Sequence, residues 1–242
     1  MTAAPTSGFS AFALEPFPEL QPGDDLAGSI TDVLTRTGTD LKDGDVVVVA
    51  SKVVSIAEKR YVDLAGVSPS PEALELSAQT GKPAAIVQLI LDNSTEHFLA
   101  TERGPIIARH TLGYQLTSAG IDRASSEGAW LLPVDPDASA RALRYALTTY
   151  TGSDVAVVIA DSDGRADRRG ATAISIGAAG MPALRVTEHG GKRQEETFTD
   201  LIAAAAGIIL GQRGRGAPVV VLRGISYEAS DEGVAAMLHH RP

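Results

Sequence analysis

The chain has 242 residues and a formal net charge of −9, and it contains no cysteine. The acidic balance disfavours non-specific binding to nucleic acid or to an anionic membrane, and the lack of cysteine excludes disulfides, thiolate metal sites and cysteine nucleophiles. Aromatic residues make up only 5% of the chain, so a stacking platform for single-stranded nucleic acid is not expected. No apolar run approaches the roughly 20 residues that span a bilayer, and the first residues lack the basic start of a signal peptide. We therefore expect a cytoplasmic protein.

The order of the predicted elements indicates an α+β fold. Residues 1–8 predict a disordered leader, 9–228 a single domain, and 229–242 a C-terminal tail. The predicted strands cover 9–14, 46–50, 130–133, 155–159, 171–179 and 218–222, with a hairpin over 106–117. The predicted helices cover 26–37, 72–80, 84–93, 138–150 and 195–210. Strands and helices alternate without a regular βαβ rhythm, which favours mixed or antiparallel sheets over a doubly wound parallel sheet.

Chemistry-bearing side chains concentrate directly after the β-branched run at 155–159. Two carboxylates, a hydroxyl, a flexible glycine and a guanidinium follow it, at Asp161, Ser162, Asp163, Gly164 and Arg165. Hard cations such as Mg²⁺ and Mn²⁺ take oxygen ligands, and arginine matches the geometry of phosphate oxygens. The segment therefore predicts a metal and phosphate site on a loop, although the same residue types also form ordinary surface turns.

Several common nucleotide and hydrolase motifs are absent from the sequence. It contains no P-loop, no H-E-x-x-H and no G-x-S-x-G. Gly211, Gly214 and Gly216 follow a predicted helix rather than a strand, so they do not form a dinucleotide fingerprint. The five histidines are scattered, and His110 is interpreted as structural.

Five segments, taken in order, resemble the coenzyme F420-0:γ-glutamyl ligase family. Their motifs lie within 18–26, 51–58, 118–140, 161–180 and 210–224. No single motif is specific, but five in order with similar spacing are hard to obtain by chance. The resemblance covers about residues 10–226, and on it the chain is identified as a divergent member of the family.

The resemblance implies an α+β fold of two intertwined subdomains, assembled as a homodimer without nucleic-acid or membrane partners. It implies GTP-dependent ligation of L-glutamate to the deazaflavin acid coenzyme F420-0, with two divalent ions, Mg²⁺ or Mn²⁺, and K⁺ as a further candidate ion. Because a carboxylate is a poor electrophile, the reaction is expected to pass through an acyl phosphate. Such phosphoryl transfer depends mainly on positioning and charge neutralisation.

The resemblance also implies a set of site residues. Asp161 and Arg165 would be catalytic, and the metal ligands would be Asp122, Asp161, Ser162 and Gln212. The residues implied to bind the nucleotide are Glu15, Pro16, Phe17, Pro18, Ser51, Lys52, Ser125, Leu210, Gly211, Gln212, Gly214 and Gly216. Each has a structural alternative: Asp122 could cap a turn, Ser51 could satisfy a strand end, and Gln212 could be solvated.

The chain departs from the family pattern at four places. Ile56 stands where the family has a lysine, the loop after Asp122 is shorter and lacks an asparagine, and 166–170 and 188–195 differ in sequence. These departures leave open a paralogue that joins another acid and amine, or a dimer with the same fold that only binds a ligand. A third alternative is an Asp-x-Asp phosphatase with Asp161 as nucleophile and Asp163 as general acid, but no downstream acidic motif supports it.

Overall fold

A computed structural model describes residues 8–211 and 217–239, which contain thirteen strands and six α-helices. The strands are β1 (Ser10–Ala13), β2 (Val46–Ala50), β3 (Tyr61–Asp63), β4 (Ser94–Leu99), β5 (Ile106–His110), β6 (Gln115–Thr117), β7 (Asp122–Arg123), β8 (Gly128–Trp130), β9 (Ala156–Gly164), β10 (Ala171–Ala179), β11 (Leu184–His189), β12 (Lys192–Thr197) and β13 (Val219–Arg223). The helices are α1 (Leu26–Thr37), α2 (Ser51–Ala57), α3 (Pro71–Thr80), α4 (Ala84–Asp92), α5 (Pro136–Thr151) and α6 (Phe198–Leu210).

A five-stranded sheet in the order β1-β13-β2-β9-β10 forms the centre of the molecule. β2 and β9 are parallel, and the other neighbours are antiparallel. Consecutive residues of β2, β13 and β9 are fully buried, which requires cover on both faces of the sheet. Helices α5 and α6 both pack against β9 and β10, so the two central parallel strands lie in the main hydrophobic core.

Two three-stranded sheets and one hairpin surround this centre. The sheets have the orders β4-β5-β6 and β3-β8-β7, and β11 pairs with β12 alone. A second, smaller core lies beneath α3 and α4, and it includes Ile90 and Ile106, which are fully buried. Contacts between β6 and β9 join the β4-β5-β6 sheet to the central sheet. This junction places the segment after β6 beside the acidic part of β9.

The α+β class with mixed sheets is confirmed, and the helix predicted over 26–37 has those limits. Asp25 caps it as its local sequence indicates, since its carboxylate accepts the Gly28 N–H at 3.0 Å. The hairpin over 106–117 is also confirmed.

Three local predictions have wrong limits, and one helix was missed. The strand predicted over 155–159 continues to Gly164, because pairing with β10 supplies backbone partners that a single sequence does not reveal. The helix predicted from 195 begins at Phe198, since the preceding residues pair in the β11–β12 hairpin. The strand predicted over 130–133 lies at 128–130. The helix α2, directly after β2, was not predicted.

The segment assigned to the C-terminal tail contacts the domain through its described residues. Val234 is fully buried, and its N–H and that of Ala235 donate to the carboxylate of Asp137 at 2.8 and 3.0 Å. The same carboxylate accepts the N–H of Ala178 in β10. Within 8–211 and 217–239, no helix is long and apolar enough to cross a membrane.

Candidate active site

The register of the central sheet brings three chain segments to one edge. The N–H of Leu14, directly after β1, donates to the carbonyl of Val219 at 3.0 Å. The N–H of Ala50, at the end of β2, donates to the carbonyl of Pro218 at 2.9 Å. The ends of β1 and β2 therefore lie on either side of the start of β13, each one strand spacing of about 4.8 Å from it.

β9 crosses the same edge and continues beyond it. Ala160 pairs with Ala50, so Asp161 lies beside Ser51, the first residue of α2. The Ser51 hydroxyl is buried and donates to Oδ1 of Asp161 at 2.6 Å. The strand-to-helix turn after β2 thus supplies a fixed donor to the first carboxylate of the acidic segment.

The carboxyl group of Asp161 lies in an environment that disfavours its charge. The pKa of Asp161 is raised to about 7, chiefly by burial and in part by the nearby carboxylates of Asp122 and Asp163, against the hydrogen bond from Ser51. Both charged groups that act on it are therefore negative. A cation supplied from outside the described residues would stabilise the ionised form.

Asp122 reaches this edge through a backbone turn in the left-handed region. Ser118 and Ala119 are buried and have φ of 54° and 52°, followed by Gly120 at 68°. Residues other than glycine adopt this region at a cost, and such strain concentrates at functional sites. The Lys52 ammonium lies 4.0 Å from Asp122 Oδ2. The turn therefore delivers a second carboxylate beside α2.

Thr117 fixes the far end of β9. Its hydroxyl donates to the carbonyl of Gly164 at 3.1 Å and accepts the Gly164 N–H at 2.9 Å, while its own N–H donates to Asp163 Oδ1 at 3.2 Å. A Cβ on Gly164 would lie 2.4 Å from the Thr117 hydroxyl, so the close approach needs glycine. The strand that carries Asp161 and the segment that leads to Asp122 are joined at this point.

A cleft of about 660 Å³ opens beside the two carboxylates. Its lining includes Asp122, Asp161 and the loop that joins β9 to β10. Lys82 and Thr101 contribute from the α3–α4 and β4–β5 connections. The cleft is a concave surface next to Asp161, whose pKa is raised, and this combination is typical of an active site.

The structure brings most of the described predicted residues to the edge or the cleft. Asp122, Asp161, Ser162 and Arg165 line the cleft. Ser51 and Lys52 contact its carboxylates from α2. The segment 15–18 follows β1 at the same edge, where Phe17 packs against the main core. The Arg36 side chain donates to the carbonyl of Pro16 at 2.5 Å, which fixes the chain there.

The remaining predicted site residues either do not line the cleft or lie outside the described residues. Leu210 is the last residue of α6 and packs against the main core, and Gly211 caps the helix. Both residues therefore come before β13 in the chain. Ser125 lies in the exposed turn after β7, where its carbonyl accepts from Arg123, and it does not line the cleft. Gln212, Gly214 and Gly216 lie outside the described residues.

The oxygen donors of this site suit a hard divalent cation whose coordination is completed by oxygens of a bound substrate. Within 8–211 and 217–239, no group of three or more histidine or acidic side chains is arranged to hold a metal by itself. Two acidic residues, Asp122 and Asp161, and Ser162 nevertheless line the cleft. Mg²⁺ is commonly held by one or two carboxylates together with water and substrate phosphates. The residues present therefore fit a metal that binds with a phosphorylated ligand.

Ile56 occupies the position where the family pattern has lysine, and it packs against the main core. It lies one helical turn after Lys52 on α2, and side chains at this spacing share a helix face. Lys52 thus supplies the cation on this face of α2 close to Asp122.

The sequence did not indicate the roles of Thr117 or Lys82. Thr117 reaches the site from β6 through hydrogen bonds to Gly164, which is distant in the chain, and Lys82 lines the cleft from the α3–α4 connection. No local motif marks either residue, although Thr117 directly precedes the Ser118-Ala119-Gly120-Ile121-Asp122 motif.

The chain is similar over nearly its whole length to archaeal enzymes named coenzyme F420:L-glutamate ligase. It is 36% identical to that of Methanothermobacter thermautotrophicus over 97% of both chains. It is 38% identical to that of Archaeoglobus fulgidus over 89% of this chain and 87% of the relative, and 36% identical to that of Methanopyrus kandleri over 91% and 90%. The protein is accordingly an amide-bond-forming acid–amino-acid ligase.

The model of one family, described as F420-0:gamma-glutamyl ligase, matches residues 16–224. The chain belongs to this family, and the resemblance found in the sequence is confirmed. A ligase, rather than an Asp-x-Asp phosphatase, is the class that these relatives support.

Proposed function

We propose that the protein joins L-glutamate to the deazaflavin acid coenzyme F420-0, using GTP and two divalent ions, Mg²⁺ or Mn²⁺. The observation that carries the proposal is the pair of carboxylates at the sheet edge, of which Asp161 has a pKa raised to about 7. The names of the relatives, each a ligase of coenzyme F420 and L-glutamate, support the choice of acid and amine. The segments after β1 and β2, which share this edge, would hold the nucleotide.

The chemical steps balance without a further reactant. A carboxylate oxygen of the acceptor attacks the γ-phosphorus of GTP, the bond from this phosphorus to the β–γ bridging oxygen breaks, and GDP leaves. The glutamate amine then attacks the acyl carbon, the carbon–oxygen bond to phosphate breaks, and inorganic phosphate leaves with the amide formed. The amine releases one proton to solvent or to a basic group.

The side chains at the edge would bind and orient these groups. Asp122, Asp161 and Ser162 would hold divalent ions, with Gln212 as a proposed further ligand. Bound ions would neutralise the phosphate charge that develops during transfer. Ser51 fixes the orientation of Asp161 through its 2.6 Å hydrogen bond, and Arg165 at the cleft wall would contact the transferred phosphoryl group.

We further propose a homodimer that acts in the cytoplasm, where GTP is supplied. The exposed apolar side chains that such an assembly could cover include Leu74, Phe98 and Ile208. A sedimentation measurement of the purified protein tests the assembly directly.

The function is tested by calorimetric titration of GTP with Mn²⁺ into the wild type and into Asp161→Ala, followed by mass spectrometry of the reaction with L-glutamate and F420-0. The wild type is expected to bind GTP only with the metal and to add glutamate. Asp161→Ala is expected to lose metal-dependent binding and to lower turnover by more than about 100-fold, because it removes a metal ligand.

Asp32→Asn provides the matched control, since this carboxylate is exposed on α1 and should leave both measurements unchanged. A wild type that binds neither GTP nor ATP with metal would contradict the nucleotide-dependent reaction. Metal-dependent GTP binding without product from F420-0 would contradict the acceptor alone.

A further inference from the structure

The lining of the cleft beside Asp161 combines three carboxylates with four cationic side chains. Asp122 and Asp161 belong to β7 and β9, whereas Asp167 and the three arginines Arg165, Arg168 and Arg169 come from the β9–β10 loop. Lys82 adds a fourth cationic side chain from the α3–α4 connection. In a chain with a net charge of −9, a group of four cationic side chains in one lining is a local concentration of positive charge.

The arginines of the loop are held only by weak exposed pairs. Arg168 contacts Asp167 at 2.8 Å and Arg165 approaches the same carboxylate at 4.0 Å. The side chains of Arg165 and Arg168 are 50% and 67% exposed, and exposed ion pairs are worth little. These guanidinium groups can therefore turn towards an anion in the cleft at small cost.

The nucleotide-facing segments lie on the other side of Asp161. The strand order β1-β13-β2-β9-β10 places the segment after β1 and Ser51 along β1, β13 and β2, away from the β9–β10 hairpin. Among the described residues predicted to bind nucleotide, none of 15–18, 51–52, 125 and 210–211 lines the cleft. A nucleotide over β1 and β2 and a second ligand in the cleft would meet at Asp161.

The cleft wall is suited to a charged aliphatic chain rather than to a flat ring. Its lining contains no aromatic side chain, and its apolar part consists of small residues and Ile121. A stacked ring would have no aromatic partner there. Carboxylate or phosphate groups on a flexible chain would find arginine donors instead.

We infer that this cleft binds the acceptor acid through negative charges that it carries besides its reacting carboxylate, with Arg168 and Arg169 as residues that select a polyanionic acceptor. The inference rests on the proposed function, because the reacting carboxylate must reach the γ-phosphate beside Asp161. The acceptor chain then lies along the β9–β10 loop, and its ring lies outside the cleft.

The test is calorimetric titration of F420-0, and separately of GTP with Mn²⁺, into the wild type and into Arg168→Gln/Arg169→Gln. The double variant is expected to bind F420-0 about tenfold more weakly, because two charge-assisted contacts are lost. Its affinity for GTP with Mn²⁺ is expected to stay within twofold of the wild type. Arg168→Lys/Arg169→Lys keeps the charge and should recover most of the affinity.

Arg141→Gln is the matched control, because it removes an arginine of similar exposure from α5, where it pairs with Asp135. It should leave F420-0 binding unchanged. Unaltered F420-0 binding by the double variant would overturn the inference. A loss of affinity for GTP alone would overturn it as well. Neither outcome would contradict the proposed ligase reaction.

Tri-γ-glutamate separates failure of the inference from failure of the proposed acceptor. If the wild type does not bind F420-0, the deazaflavin acceptor is wrong. Binding of tri-γ-glutamate that weakens in the double variant would then still support a polyanion cleft. A wild type that binds neither probe would overturn both proposals.

Discussion

Two aspartates at opposite edges of the parallel pair β2–β9 differ in how their charge is balanced. Asp45, just before β2, is 1% exposed and receives two hydrogen bonds from Arg223, at 2.9 Å to Oδ1 and 2.6 Å to Oδ2. Asp161, level with the end of β2, receives a serine hydroxyl and faces two other carboxylates. One charge is neutralised within the chain, and the other is not neutralised by the described residues.

The difference supports the proposal that Asp45 is a structural carboxylate and Asp161 a functional one. A buried, uncompensated carboxylate costs stability, so its presence indicates that a ligand supplies the missing charge. Asp45 shows that the fold can provide an arginine where only stability is required. At Asp161 the same strand pair ends beside an acidic cleft and Ser51 instead.

The two sites should therefore respond in opposite directions to the same substitution. At pH 8 without metal, Asp45→Asn should lower the free energy of unfolding by about 2–3 kcal/mol, because it breaks a largely buried ion pair with Arg223. Asp161→Asn should leave it unchanged or raise it, since an amide keeps the contact with Ser51 and removes a disfavoured charge. Urea denaturation followed by circular dichroism measures both changes.

The effects of the two substitutions on metal-dependent GTP binding should be the reverse of their effects on stability. Asp45→Asn should retain it as long as the protein is folded, whereas Asp161→Asn should lose it. Equal destabilisation by the two substitutions would show that Asp161 is a structural carboxylate like Asp45.

The pH dependence of stability should reveal the raised pKa of Asp161. Between about pH 4 and 7, an unfolded chain ionises at this carboxyl while the folded protein keeps the proton, because the folded pKa is about 7 against 3.8 for the unperturbed group. The folded state then binds more protons, so its free energy of unfolding falls as the pH rises through this window. The fall is at most about 1.4 kcal/mol per pH unit and ends near pH 7.

Asp161→Asn isolates this contribution from other titrating groups. Burial and, to a smaller extent, the positive charge of Arg60 lower the pKa of His110 to about 4. Its titration has the opposite sign, but it is present in both proteins and cancels in the difference. The free energy of unfolding of wild type minus that of Asp161→Asn should decrease from pH 4 to 7 and then level off. A difference that is constant with pH would contradict the raised pKa.

Local signals in the sequence were sufficient for much of the fold. The apolar run of β2 and the Asp25 cap of α1 act within a few residues, so the strand and the helix could be predicted with correct limits. The extension of β9 to Gly164 depends on pairing with β10, and the start of α6 depends on the hairpin before it. Both effects depend on pairing with another strand, which a local sequence pattern does not show.

The candidate site was predictable where its residues belong to family motifs, and not where they act through long-range contacts. Asp122, Asp161 and Ser162 could be assigned from the order and spacing of motifs. The raised pKa of Asp161 and its contact with Ser51 require two strands to align, which only the register shows. Thr117 reaches Gly164 across 47 positions in the chain, and no sequence pattern marked that contact.

Thr117→Val should weaken metal-dependent GTP binding by about three- to tenfold. The substitution keeps the shape of the side chain but removes both hydroxyl contacts to Gly164, which corresponds to about 1 kcal/mol for each lost hydrogen bond. The Thr117 hydroxyl contacts Gly164 rather than a proposed metal ligand, so we expect it to act as a positioning residue that sets Asp161 against Asp122. We expect a higher KM for GTP in steady-state kinetics, and we expect Thr117→Ser to restore it because the hydroxyl returns.

Thr149→Val is the control for loss of a threonine hydroxyl, since that group donates only to the carbonyl of Tyr145 within α5. It should change neither KM nor metal affinity. If Thr117→Val lowers stability yet leaves the KM and the Mn²⁺ dependence intact, its role is structural and resembles that of Arg223 at the other edge. If both change and Thr117→Ser rescues them, the two carboxylates depend on a junction that the β4-β5-β6 sheet provides. The position of Asp161 beside Asp122 would then depend on this distant junction as well as on the residues that contact Asp161 directly.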